Sequence, residues 1–228
     1  MEGLQVPTSA PGDLSELESR AQAIAGFSLG ELADMANIAI PRDFTRHKGW
    51  TGQLIETWLG ATAGSKPQQD FPELGVELKT LPINQHGQPL ETTYVCYAPL
   101  LLPPLITWQT CNVKNKLQCV LWVPVEGERQ IPVAERRIAT PFLWQPSEVQ
   151  NALLQRDWEE LTEMIALGQV ESITARHGEV MQLRPKAASG QVLTDALDAE
   201  GNKIQTRPRG FYLRKQFTSH ILQTHFDQ

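Results

Sequence analysis

Apolar residues recur along this chain with two different periods, and the switches between them mark its elements. Asp13 followed by Glu16 reads as a helix start, with Leu14, Leu17, Ala21 and Ile24 on one face and Gly26 as the stop. Ser28 and Glu31 form a capping box that opens a short helix carrying Leu29, Leu32 and Met35. Gly52 to Leu59 is a third helix with Leu54, Ile55, Trp58 and Leu59 as its stripe. After the small residues of 60–67 the period drops to two. Val76 to Leu81 alternates as a strand, Asn84-Gln85-His86-Gly87 is a turn, and Thr92 to Ala98 returns as a second strand. Leu117 to Val125 is almost unbroken apolar sequence, as in a central strand covered on both faces. Ser147 caps a long helix in which Leu154, Trp158, Leu161 and Ile165 share a face and Gly168 is the stop. Val170 to Arg184 reads as a hairpin about His177-Gly178. Lys186 to Gly210 is polar and mobile, Phe211 to Leu213 is a short strand, and Thr218 caps a last helix. Interleaved strands and helices predict an α/β or α+β mixed class with a mixed sheet.

Composition narrows the function classes. The 228 residues suit one or two domains, and 41% apolar with 20% charged residues excludes wholesale disorder. No apolar run reaches the roughly 18 residues of a membrane helix. Met1-Glu2-Gly3 lacks the basic-then-apolar start of a signal peptide. Cys96, Cys111 and Cys119 are odd in number and not spaced as a zinc site, so a cytoplasmic protein is expected. The net charge of −6 argues against a polyanion partner, but it hides an asymmetry. Residues 172–217 hold eight bases against four acids, whereas residues 1–35 hold six acids and one base. Screening confines charge effects to about 8–10 Å, so a local basic face can bind nucleic acid on an acidic chain.

The candidate chemistry lies in Gln68 to Lys79. Residues two apart on a strand share a side, so Glu77 and Lys79 project together while Val76 and Leu78 face the other way. Asp70 precedes this strand by a short turn through Pro72 and Gly75, which can bring its carboxylate beside Glu77. Two converging carboxylates suit Mg²⁺, and a neighbouring lysine can orient water or stabilise charge at phosphorus. That is the equipment of phosphodiester hydrolysis. Glu56, on the preceding helix, is a candidate fourth member. A solvated edge strand would alternate in the same way, so the pattern alone is not diagnostic. No His-Glu-x-x-His, phosphate-binding glycine loop or Gly-x-Ser-x-Gly is present. Trp58 and Trp158 fall on apolar helix faces and read as core.

With these residues the chain resembles the MutH family of DNA mismatch-repair endonucleases from about Leu14 to Phe226. The blocks that carry the resemblance include Lys48-Gly49-Trp50, Gln69-Asp70-Phe71, Leu74 to Thr80, Val120-Leu121-Trp122, Asp157 to Leu161, Ile173 to Arg176, Leu183 to Ala187 and Gly210 to Leu213. The resemblance implies a restriction-endonuclease-like mixed sheet flanked by helices, with two subdomains around a DNA cleft. It implies one endonuclease domain over 1–228: a loose tail over about 1–12, a catalytic part over about 13–145 and a DNA-recognition part over about 146–228. It also implies Mg²⁺-dependent nicking of the unmethylated strand of double-stranded DNA at hemimethylated GATC, by a monomer that MutL activates and MutS calls on indirectly. The family positions matching Glu56, Asp70, Glu77, Lys79 and Lys116 are catalytic, with Asp70 and Glu77 as metal ligands. Those matching Lys48, Arg184, Pro185, Lys186 and Tyr212 contact DNA, and Tyr212 is tied to sensing adenine methylation. Two departures stand out: Gln69 precedes Asp70 where superfamily signatures often carry proline, and Val113-Lys114-Asn115-Lys116 is less basic than in relatives. Two other readings remain from the residues: an inactive binding module on a nuclease fold, and a restriction enzyme that cuts both strands as a dimer.

Overall fold

The computed structural model describes residues 4–44, 47, 49–64, 66–186 and 191–226. In chain order the elements are α1 (Leu14–Ala23), α2 (Leu29–Met35), α3 (Trp50–Leu59), β1 (Glu77–Ile83), β2 (Thr93–Ala98), α4 (Asn112–Leu117) and β3 (Val120–Glu126). They continue as β4 (Phe142–Trp144), α5 (Glu148–Ala166), β5 (Met181–Pro185), β6 (Thr194–Leu197), β7 (Lys203–Thr206), β8 (Arg209–Leu213) and α6 (Lys215–Phe226). This is the mixed α/β class expected, consistent with a restriction-endonuclease-like fold. Among the described residues no helix is long and apolar enough to cross a membrane.

The chain folds into two compact units, 1–90 with 118–145, and 91–117 with 146–228. In the first, β3 lies between β1 and β4 and pairs parallel with β1, Glu77 opposite Val120 and Lys79 opposite Trp122. Parallel neighbours need a long crossover, and here the connection is the 91–117 excursion. β3 is buried along six of its seven residues, as its apolar run predicts. Leu17, Ala21, Leu32, Leu54, Ile55 and Trp58 join Val76, Leu78, Leu121 and Val123 in one core. The helix starts follow the sequence signals. Asp13 accepts a hydrogen bond from the Glu16 amide at 2.8 Å. Ser28 and Glu31 close a full capping box. Leu14 and Met35 are the exceptions on their stripes, both substantially exposed.

In the second unit β8 lies between β2 and β5, antiparallel to both. Its alternation is clean: Phe211 and Leu213 are buried and Tyr212 faces the other side. Ser147 and Gln150 form the capping box of α5, whose Leu154, Trp158, Leu161 and Ile165 are all buried. The three cysteines are buried and unbridged, and burial pushes the Cys111 and Cys119 thiols up.

Several expectations need correction. Thr93–Ala98 does not return along β1 but pairs with β8. The 84–87 turn forms, with the Asn84 side chain accepting from the His86 and Gln88 amides, but Leu90 N already closes it back on Pro82 O. No hairpin joins Val170 to Arg184, because Val170–Ser172 is a single 3₁₀ turn and β5 takes β8 as partner. Leu117 ends a helix rather than beginning the central strand. Thr218 lies inside α6, its hydroxyl donating to Lys215 O at 3.1 Å, so it caps nothing. Within 186–210 a regular hairpin of β6 and β7 is present.

Candidate functional site

In the first unit, a tight hairpin leads into β1. Phe71 and Val76 exchange backbone hydrogen bonds at 2.9 and 3.2 Å. The loop between them reverses at Gly75, whose φ of +66° is a left-handed conformation that side chains disfavour. Gln69, itself buried, fastens the loop, its amide nitrogen donating to Gly75 O at 2.9 Å. Phe71 and Val76 are paired and buried, so Asp70 and Glu77, one residue further out on each arm, alternate to the side opposite those two. Asp70 Oδ2 accepts the Leu78 amide at 2.8 Å, which fixes that carboxylate against the strand.

Glu77 and Lys79 share a side as alternation requires, with Lys79 Nζ 2.7 Å from Glu77 Oε1. The pair is deep for charged groups, at 4% side-chain exposure for Glu77 and 14% for Lys79. A pair so poorly solvated is held by mutual neutralisation, and either charge left alone would be costly. Glu56 is half-buried on α3, the helix that packs on β1, beside the buried stripe. The structure therefore pairs Glu77 with Lys79, fixes the Asp70 carboxylate on the amide of Leu78 between them, and puts Glu56 on the adjoining helix. Lys116 belongs to the other unit, on α4, at 9% exposure. Lys48 lies outside the described residues. Among those residues, no three His, Cys, Asp or Glu side chains cluster as a metal site.

The second unit carries Arg184, Lys186 and Tyr212 on one face of β2-β8-β5. Tyr212 is in register with Tyr94, and their rings meet edge to face at 5.3 Å. Arg184 sits 5.6 Å from the Tyr212 ring centroid and donates to Thr92 Oγ1 at 2.8 Å. Lys186 holds its ammonium 4.4 Å above the Tyr94 ring. Pro185, between these two bases in sequence, is exposed and in register with Arg209, so it alternates to the other side of β5. Gly210 makes the cluster possible: a Cβ there would stand 2.8 Å from a Tyr94 ring carbon and 3.3 Å from one of Tyr212. Burial pushes the Tyr212 hydroxyl up, against the pull of Arg184, so it stays a neutral phenol able to donate. Cationic side chains over aromatic rings, on a sheet face, form a surface suited to a polyanion with flat groups.

Sequence reasoning passed over Tyr94, Thr92, Gly210 and Asp157. Asp157 is 1% exposed on α5, and its Oδ2 accepts the amides of Glu179, Val180 and Met181 at 2.8, 2.6 and 2.9 Å. It thereby fixes the start of β5, which carries Arg184 and Pro185. Its signal was available, an acid beside Trp158 and between Leu154 and Leu161 on the apolar face of a helix.

Known proteins similar to this chain agree with one another. The family model for the DNA mismatch repair enzyme MutH matches residues 59–157. The DNA mismatch repair protein MutH of Klebsiella pneumoniae (strain 342) is 58% identical over 219 residues, 96% of this chain and 95% of its own. That of Serratia proteamaculans (strain 568) is 59% identical over 216 residues, 95% of each chain. That of Photorhabdus laumondii subsp. laumondii is 56% identical over 226 residues, 99% of each.

Proposed function

The chain belongs to the MutH family of DNA mismatch repair proteins, and from that premise we propose that it is a Mg²⁺-dependent endonuclease nicking the unmethylated strand at hemimethylated GATC sites. In this reading it acts as a monomer, activated by MutL once MutS has bound a mismatch. The observation that carries it is the Asp70, Glu77 and Lys79 arrangement, two anchored carboxylates with an ammonium 2.7 Å from one of them.

The donor set fits the metal. Asp70 and Glu77 offer hard carboxylate oxygens, and Mg²⁺ is commonly held by one or two carboxylates with water and phosphate completing its shell. When bound, the ion supplies Lewis acidity at the scissile phosphate and lowers the pKa of the attacking water. Asp70, on the hairpin arm before β1, and Glu77, at the first position of β1, would hold that ion. Lys79 neutralises Glu77 and would orient the water or meet the charge that grows on phosphorus. Water attacks phosphorus as the bond to the leaving sugar oxygen breaks, and one active centre per monomer accounts for a nick. Glu56 and Lys116 take catalytic positions on family grounds alone, as Lys48 takes a phosphate contact. Arg184, Pro185, Lys186 and Tyr212 form the recognition face.

The test is nicking of unmethylated, hemimethylated and fully methylated GATC duplexes with Mg²⁺, with and without MutL. An N6 methyl projects into the major groove, where a neutral phenol can sense it. Tyr212→Ser is expected to change the ratio of cleavage among the three substrates by about 5- to 150-fold. Arg184→Ala should instead lower activity on all three. Equal loss on every methylation state for Tyr212→Ser would remove the tyrosine from methylation sensing.

Duplex affinity should also fall steeply with salt, log K dropping by about 0.9 per phosphate neutralised. Lys186→Ala is expected to make that slope shallower by about one unit. Its ammonium rests on an aromatic face rather than on a carboxylate, and so keeps its charge for a phosphate. Titrations at several salt concentrations with an unchanged slope would count against the contact.

A further inference from the structure

The chain has three tyrosines, and all three stand together on the recognition face. Tyr94 and Tyr97 are three residues apart on β2, which in a regular strand would send them to opposite sides. The register shift between Tyr94 and Cys96 changes that. Tyr94 pairs with Tyr212, Cys96 with Phe211 and Tyr97 with Gly210. Val95 and Cys96 are buried, whereas the Tyr94 and Tyr97 rings meet edge to face at 5.9 Å. An inserted residue that re-aims a side chain is the usual consequence of a β-bulge, and such bulges gather beside functional sites.

Tyr97 thereby reaches a defined place. Gly210 is in register with Tyr97 on one side and with Arg184 on the other. Tyr97 and Arg184 flank a position that has no side chain of its own, and the Tyr94 and Tyr212 rings lean over it. Tyr97 is 60% exposed, an unusual state for a large aromatic ring already in contact with another. Tyr94 and Tyr212 are half-buried by comparison.

We propose that Tyr97 is a further DNA-contacting residue that sets site specificity, its ring closing the edge of the recognition face opposite Arg184. The inference rests on the reading of this face as the one that meets GATC. Its ring, rather than its hydroxyl, makes the contact, because an exposed π-face or edge packs on a sugar or base without needing a fixed partner.

Tetranitromethane, followed by mass spectrometry of the tyrosine peptides, reads the contact directly on the full chain. With Ca²⁺ in place of Mg²⁺ to hold the duplex uncut, a GATC duplex is expected to shield both Tyr97 and Tyr212 from nitration. Tyr97→Ala should weaken binding of that duplex by about 5- to 50-fold and shrink the preference for GATC over a site changed at one base pair. Tyr97→Phe should keep both. Shielding of Tyr212 with Tyr97 still fully reactive would overturn this proposal alone. A duplex that shields neither tyrosine would overturn it together with the reading of the face.

Discussion

Replacing Glu77 with alanine is expected to cut the nicking rate by at least about 10³-fold while leaving duplex affinity within about threefold. The first figure follows from the proposed role of Glu77 as a metal ligand. A metal at a phosphoryl centre supplies several kcal/mol of transition-state stabilisation, and each 1.36 kcal/mol is a factor of ten. The second follows from where the residue sits, 3% exposed at the start of β1 and bonded to Lys79, with the DNA-facing candidates on other strands. Glu77→Ala also frees Lys79 from its counter-charge, which favours a phosphate rather than repelling it. Single-turnover nicking and Ca²⁺-supported binding on the same hemimethylated duplex check both halves. Cleavage that survives at near wild-type rate while binding collapses would reverse the assignment.

Lys79→Ala separates the lysine from the ligands. Cleavage should be lost as with Glu77→Ala, but Mg²⁺ affinity should hold or rise, because a positive charge 2.7 Å from Glu77 Oε1, a proposed ligand atom, has gone. Calorimetric titration of Mg²⁺ into the two variants reads the difference. Collapse of metal binding in Lys79→Ala would mean that the lysine shapes the carboxylates rather than serving the reaction.

The local signals in this sequence are legible because each is completed within a few residues. Asp13, Ser28 and Ser147 cap the helices they announce, since a side-chain oxygen three residues from an amide needs no distant partner. Glu77 and Lys79 could be placed together for the same reason, strand alternation being a local rule. The choice of strand partners was different. Thr92–Ala98 alternates equally well against β1 or β8, and only the fold of the whole second unit decides between them. The bulge that turns Tyr97 onto the face of Tyr94 was invisible, because it exists only relative to the strand opposite. Gly210 looked like any glycine until two rings closed over it. The 170–184 stretch differs for a related reason: its turn-like His177-Gly178 is held by one side chain from α5 and one from the residue that follows β8, and does not close a hairpin. Glu160 accepts the Gly178 amide at 3.2 Å, and Arg214 donates to the Ala175 and His177 carbonyls at 2.6 and 2.9 Å.

That same stretch carries the largest expected effect on stability. Asp157→Ala would strip one carboxylate oxygen from the amides of Glu179, Val180 and Met181, two of them wholly buried with it. A donor left unsatisfied in the interior costs about 1–3 kcal/mol, and three donors with partial relaxation come to roughly 3–5 kcal/mol. Against a total stability on the order of 5–15 kcal/mol that is a large share, and it corresponds to a fall in Tm of about 6–20 °C for a chain of this size. Asp157→Asn keeps one acceptor oxygen and should lose less. Glu179→Ala provides the contrast. It removes the exposed ion pair that Arg156 makes at 2.6 Å, and should move Tm by less than about 2 °C because solvent screens that pair. The local consequence is as specific as the global one. Hydrogen exchange at residues 179–181 should quicken in Asp157→Ala well before the core amides of β3, because β5 loses the clamp at its start and keeps only its ladder with β8. Calorimetry and exchange on the three variants test this together. A Tm for Asp157→Ala within 2 °C of the parent, or exchange at 179–181 no faster than before, would mean that β8 alone holds β5 in place.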